Sequence, residues 1–210
     1  MLGLPQQGGA TRLVLVRHAE PDGAALGRVC GARTDVALGP EGRAHADRIA
    51  AMLSHQPLTA VYASPLTRAL ETARPLAHAH GLDPKVVDDL REHDFGEVDG
   101  LRFEEIEAGH PELVRAWTDA PETVRFPGGE SLADLRARVL PTIAEIRARH
   151  DGEAVAVVAH AGVLRVVLGD ALGLTDGVLF RLDQAHGGVS VVDWFADVPV
   201  VRVVNAAAGL

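Results

Sequence analysis

Residues 154–172, AVAVVAHAGVLRVVLGDAL, decide the fold. The first six are small or β-branched apolar residues with no charge among them, the composition of a strand buried on both faces. His160-Ala161-Gly162 ends the run, and 162–172 returns apolar residues at helical spacing. A strand leading directly into a helix is the repeating half-unit of a parallel α/β sheet. The same order recurs upstream. Residues 11–16 (TRLVLV) read as a buried strand, followed by a helix at 39–53 whose Ala46, Ile49, Ala50 and Leu53 share one face. Residues 60–63 (AVYA) form a short strand, and Ser64-Pro65 reads as the N-cap and first position of a helix to about residue 80.

The rest of the chain fits around these units. Residues 85–88 read as a weaker strand, and 102–107 and 111–117 as short helices. A long helix is expected over 131–150, with Ser131 and Asp134 as a capping box and Pro141 as a kink point. Residues 189–195 and 200–204 close the chain as a hairpin around Asp197-Val198-Pro199. The expected fold is a three-layer α/β/α sandwich with a mostly parallel central sheet and one antiparallel edge strand. The expected organisation is a flexible N-terminus at 1–10, a single domain over 11–205 with a variable lid at about 100–129, and a tail at 206–210.

Composition excludes several functions. The 210 residues carry 20 basic and 29 acidic side chains, a net charge of −9, with no basic run. Nucleic acid is therefore a poor partner, because neutralising its phosphates needs clustered Lys and Arg. A single cysteine, Cys30, leaves no disulfide framework or cysteine-rich zinc site, which fits a reducing cytoplasm. The start of the chain lacks a basic, then apolar, leader, and no apolar run is long enough to span a bilayer, so no membrane partner is expected. Lys85 is the only lysine and Asn205 the only asparagine, which leaves no P-loop lysine. The Arg-, Ala- and Gly-rich usage suits a GC-rich bacterial genome.

In such sheets, ligands bind beyond the carboxyl ends of the strands. The first strand ends in Arg17-His18, the second in Ser64-Pro65 with Arg68 shortly after, and the 154–159 strand in His160. A lone histidine at a strand end is ordinary polar decoration. Three strand ends bearing His, Arg and His, two of them at helix N-termini, describe an anion site, and phosphoryl is the obvious anion.

Here the chain resembles a known family. LVLVRHAE (13–20), SPLTRALETA (64–73), LREHDFGEVDG (90–100), PGGES (127–131) and VVAHAGVLR (157–165) are similar, in order and spacing, to the motifs of the histidine phosphatase superfamily, the phosphoglycerate mutase-like family. The resemblance runs from Leu13 to about Asn205. It implies His18 as the nucleophile that becomes phosphohistidine, Arg17, Arg68 and His160 as phosphate ligands, and Glu92 as proton donor, with no metal and no cofactor. The chemistry is coherent. A neutral imidazole can attack phosphorus, fixed guanidinium charge steadies the transferring group, and a carboxylic acid protonates a poor leaving group.

Two departures stand out. The asparagine that the family often places six residues after the nucleophile is Ala24 here, and the usual Gly and Thr beside it are Ala19 and Pro21. Arg28 and the backbone at Gly31 are the candidates to take over its contact. Other matches mislead. Asp94-Phe95-Gly96 lacks every other kinase element, Gly129-Glu130-Ser131 reads better as a cap than as a nucleophile elbow, and His78 and His80 lie on different helix faces. Trp117, Phe103 and Phe126 are readable as lid lining or as packing.

The function expected is a metal-independent phosphomonoesterase, a histidine acid/neutral phosphatase acting on a small phosphorylated metabolite. PGGESLADLRARV and FRLDQAHGGVSVVDW resemble the α-ribazole phosphatase branch of cobalamin synthesis, which implies α-ribazole 5′-phosphate as one substrate, with a general phosphatase for sugar phosphates or nucleotides as the equal alternative. Phosphoglycerate mutase-type transfer and an inactive phospho-ligand binding module stay open. The apolar closing hairpin suggests an edge strand that pairs in a homodimer.

Overall fold

The structure, a computed structural model, describes residues 9–25 and 27–207. Most of the expected N-terminal segment and the end of the tail lie outside the described residues. Six strands form one sheet in the order β3-β2-β4-β1-β5-β6. These are β1 (Thr11–Arg17), β2 (Leu58–Ala63), β3 (Pro84–Val86), β4 (Ala154–Ala159), β5 (Val189–Phe195) and β6 (Val198–Ala206). The first four run parallel, while β5 pairs antiparallel with β1 and β6 antiparallel with β5. The antiparallel part is thus a closing pair rather than one strand.

Alternation along the strands divides the core into two layers. Leu13 and Leu15 of β1, with Val155 and Val157 of β4, face α5 (Leu132–Arg149) and α6 (Ala161–Leu172) through Leu135, Val139, Ile143 and Leu164. Val14 and Val16, with Ala156 and Val158, face α1 (Pro40–Leu53) and α2 (Thr67–Ala79) through Ile49, Ala73 and Leu76. Both faces of β1 and β4 are covered, which is why these strands read as continuous apolar runs. Ser131 and Asp134 form the expected capping box at the start of α5.

Two local expectations are corrected. Ser64-Pro65 does not cap α2, whose N-cap is Leu66. The Ser64 hydroxyl is instead engaged by His160 Nε2 at 2.8 Å, a bond across two strand ends that no local pattern announces. The closing turn also falls earlier than expected, at Ala196-Asp197, with Ala196 in the left-handed region (φ 52°). Val198 and Pro199 already belong to β6, and proline is tolerated there because β6 is an edge strand.

The 100–129 segment folds as α3 (Phe103–Gly109), α4 (Pro111–Asp119) and a short 3₁₀ turn around a small core of its own, Val98, Ile106, Val124 and Phe126. Phe126 packs in that core, Phe103 is exposed, and Trp117 stacks beside Phe95 and Phe126. Among the described residues, no helix is long and apolar enough to cross a membrane.

Core packing on the α1–α2 side is testable. Leu76 is fully buried, so Leu76→Ala is expected to lower the unfolding free energy by about 2–5 kcal/mol in urea titrations. Met52, on α1 but exposed, should change it by less than about 0.5 kcal/mol on substitution to Ala.

Candidate active site

Strand register brings the site together. Arg17 lies opposite Ala159, and Ala63 opposite Val158, so His18, Ser64 and His160 emerge side by side. The His18 amide donates to Ala159 O (2.9 Å) and the Ser64 amide to Val158 O (3.0 Å). The buried rings of His18 and His160 lie 5.1 Å apart between centroids.

His18 Nδ1 is 2.8 Å from the Ala19 carbonyl oxygen. A carbonyl only accepts, so Nδ1 carries the proton and Nε2 keeps its lone pair. Burial first, then the charges of Arg68 and Arg17, hold His18 well below the ordinary imidazole value. The ring is therefore neutral at neutral pH. Burial, then Arg68 and His18, do the same to His160, whose Nδ1 is buried without a hydrogen-bond partner.

Both arginines are anchored at their tips. Arg17 Nη1 donates to the Gln184 carbonyl, and Nη2 to His186 Nε2 at 2.8 Å. Arg68 donates to the carbonyls of Thr34 (2.9 Å), Gly31 (3.0 Å) and Cys30 (3.2 Å). The Nε atoms of Arg17 and Arg68 are buried and unpartnered. Burial lowers both guanidinium groups from their ordinary value, opposed first by the Glu92 charge. Among the described residues, then, Arg17 Nε, Arg68 Nε and His160 Nδ1 are buried nitrogen atoms left without protein partners beside one neutral imidazole. Arg17 and Arg68 belong to the walls of a cavity of about 260 Å³ that His18, Glu92 and His186 also line, and His160 lies behind it against the His18 ring.

Glu92 faces this cavity from the loop after β3. Its carboxylate accepts the His93 amide (2.9 Å) and the Gly162 amide (3.1 and 3.2 Å) in the first turn of α6. Glycine at 162 leaves room for this contact, since a Cβ would stand 2.5 Å from Glu92 Oε1 and push the carboxylate aside. Arg138 of α5 fixes the backbone carrying Glu92. It donates to the carbonyls of Asp89 (2.7 Å), Arg91 (2.8 Å) and Glu92 (2.9 Å) while pairing with Glu130 at 2.7 and 2.8 Å.

Of the two candidates for the missing asparagine contact, Arg28 lines the cavity, with Nη1 on Gly100 O at 2.8 Å. Gly31 is a correction. Its amide is committed to Asp99 Oδ1 (3.0 Å) and its carbonyl to Arg68, so it braces Arg68 and does not line the cavity. Cys30 does line it, half-buried, and burial pushes its thiol up, which keeps it protonated. The only asparagine, Asn205, accepts the Ala185 amide through Oδ1 at 2.7 Å and so steadies the loop that presents His186.

His186, Arg165 and Arg138 were given no role by sequence reasoning. His186 stacks 5.2 Å from His18 and is lowered to about 4, by burial first and then Arg17, so it is a neutral acceptor for Arg17. Arg165 lies one helical turn beyond Ala161, and that spacing from His160-Ala161 was the available signal. It lines a second cavity, of about 230 Å³, which shares Glu92 with the first. Among the described residues, no three His, Cys, Asp or Glu side chains gather as a metal site.

Comparison with known proteins gives the family of the chain. A family model described as the histidine phosphatase superfamily (branch 1) matches residues 13–207. Phosphoserine phosphatase 1 of Hydrogenobacter thermophilus is 37% identical over 181 residues, 86% of this chain and 85% of that protein. A mycobacterial glucosyl-3-phosphoglycerate phosphatase structure superposes with a TM-score of 0.86 at 30% identity, covering 94% of this chain and all of that one. The alpha-ribazole phosphatase of Shigella flexneri gives a TM-score of 0.83 at 25% identity, covering 95% and 98%. The chain belongs to the histidine phosphatase superfamily and is a phosphoric monoester hydrolase of that type.

Proposed function

We propose that the protein hydrolyses the phosphomonoester of a small metabolite in two steps through phosphohistidine at His18. One observation carries this reading: a neutral imidazole with Nδ1 tied to a carbonyl lies among buried, unpartnered nitrogen atoms of Arg17, Arg68 and His160. In the first step the His18 Nε2 lone pair forms a bond to phosphorus. The bond from phosphorus to the alcohol oxygen breaks, and Glu92 gives that oxygen a proton. In the second step the Glu92 carboxylate takes a proton from water as the water oxygen bonds to phosphorus. The phosphorus–nitrogen bond then breaks, its electron pair returns to Nε2, and phosphate leaves.

Arg17, Arg68 and His160 steady the equatorial oxygens throughout, because fixed charge in a water-poor site costs no reorganisation at the moment of transfer. Guanidinium groups supply the positive charge, so no step calls on a metal. His186 acts on Arg17, and Arg138 with Glu130 holds Glu92.

Two substrates have support outside the catalytic centre. α-Ribazole 5′-phosphate is supported by the likeness to the Shigella enzyme and by the aromatic wall of the second cavity, which suits a planar base. Phosphoserine is supported by the Hydrogenobacter relative.

Phosphate release from a panel holding both esters tests the reading. His18→Ala is expected to lose about 10³-fold or more on every ester the wild type cleaves, and an acid-labile phosphoryl group should be trapped on the wild type only. Equal release by both proteins overturns it, as does isomerisation of 3-phosphoglycerate that outpaces phosphate release. Glu92→Gln is expected to lose about 10²-fold or more on alkyl phosphates and far less on p-nitrophenyl phosphate, whose leaving group needs little protonation. Gly162→Ala should show the same pattern, because its methyl group displaces the Glu92 carboxylate. The depressed His18 value gives a fourth expectation: its imidazole ¹⁵N shifts stay those of the neutral Nδ1–H form at about pH 5.5, and a midpoint near 6.5 would contradict it.

A further inference from the structure

We propose that Arg165 forms an anion subsite for the leaving group, so that the favoured substrates are phosphomonoesters whose alcohol carries a carboxylate close to the ester oxygen. The inference rests on the phosphatase reading above and narrows its substrate class.

The cavity beyond Glu92 is where the leaving group must lie. An ester whose phosphorus faces His18 and whose oxygen is protonated by Glu92 extends past Glu92, and Glu92 lines both cavities. The second cavity is walled by Phe95, Trp117, Leu132, Leu135, Leu179 and Phe180, and its one permanent cation is Arg165. His93 on the same wall is held below its ordinary value by burial.

Three arginines are shielded from solvent with no carboxylate in ion-pair reach among the described residues: Arg17, Arg68 and Arg165. The other shielded arginines, Arg12, Arg91, Arg136, Arg138 and Arg147, each have an acidic partner. Two of the three unpaired ones flank His18, where a phosphoryl group is to be held. The third sits where the alcohol goes. A half-buried guanidinium with no carboxylate in ion-pair contact is incompletely compensated, and a bound anion would complete it.

The side chain is also posed for recognition. Its Nε donates to Leu182 O at 2.9 Å, and the guanidinium stands 5.7 Å from the centre of the Phe180 ring. That tether fixes the plane and leaves the Nη atoms free of any acidic partner. A planar fork of this kind matches a carboxylate bidentately. Burial lowers Arg165 from its ordinary value and the charges of Glu92 and Asp183 oppose it, which marks a desolvated cation close to the acid. The subsite favours carboxylate-bearing esters over α-ribazole 5′-phosphate, which has no carboxylate.

Matched esters test this. O-phosphoserine differs from O-phosphoethanolamine, and 3-phosphoglycerate from glycerol 3-phosphate, by a carboxylate on the alcohol side. In the wild type, kcat/KM is expected to favour the carboxylate member of each pair by about tenfold or more, the scale of one charge-assisted hydrogen bond. In Arg165→Gln that ratio should fall to within about twofold, with the change mainly in KM. Arg165→Lys, which keeps the charge and loses the fork, should fall between the two and stands in if the Gln variant does not fold. A wild-type ratio near one, or a ratio unchanged in the variants, overturns the subsite while His18-dependent release from p-nitrophenyl phosphate leaves the phosphatase reading standing. Release from no ester at all overturns both.

Discussion

The register between β1, β4 and β2 is the constraint on which the rest of the molecule depends. Arg17 opposite Ala159 and Ala63 opposite Val158 end three strands level, and each chain then delivers one reactive residue at the same height. A slip of one residue in β1 would turn Leu13 and Leu15 toward the helices that now cover Val14 and Val16. It would also carry His18 away from His160. The two apolar layers therefore hold the catalytic geometry as firmly as they hold the fold, because both depend on the same alternation.

That geometry places cations where a net charge of −9 would not suggest them. Arg17 and Arg68 are withdrawn from water and anchored by carbonyl oxygens and His186 rather than by carboxylates. Carbonyls satisfy the donors without neutralising the charge, so the positive field stays available to a substrate. A carboxylate in direct ion-pair contact would have quenched it. The same field acts on the histidines: together with burial it keeps His18 and His160 neutral, so His18 serves as a nucleophile without a separate base. A net-negative chain with cations withdrawn into one pocket suits a small anion that can enter it and disfavours a long polyanion that must lie across the surface.

How much of this was legible depended on the range of the interaction. The parallel strands, their helices and the Ser131–Asp134 cap are local patterns of spacing, and they were readable. His18, Arg17, Arg68, Glu92 and His160 were readable because each follows a strand or sits in a quoted motif. What escaped is what pairs across the fold. Ser64 looked like a helix cap because serine before proline is a local signal, while its partner lies 96 residues away. His186 and Arg138 act through Arg17 and Glu92, and nothing in their neighbourhoods distinguishes them from surface residues. Gly31 failed for a related reason: a glycine amide beside a pocket is free to bind a ligand only if no carboxylate has taken it, and Asp99, 68 residues on, had done so.

The unusual asparagine count now has a structural sense. The loop at 183–188 carries both acceptors that anchor Arg17, the Gln184 carbonyl and His186 Nε2. It is tied to the sheet by Asn205, whose side chain takes the Ala185 amide and reaches Asp183 at 3.2 Å. Asn205 adopts φ 54°, a left-handed conformation that asparagine tolerates better than most residues. Its backbone amide donates to Ser190 Oγ at 2.9 Å, which locks the residue to β5. The last strand of the sheet therefore reaches the phosphate site through a chain of contacts: β6 holds Asn205, Asn205 holds the loop, the loop holds Arg17, and Arg17 stands beside the nucleophile. The antiparallel pair added beyond β1 is thus more than an edge to the sheet, because it aims one of the two arginines that flank His18.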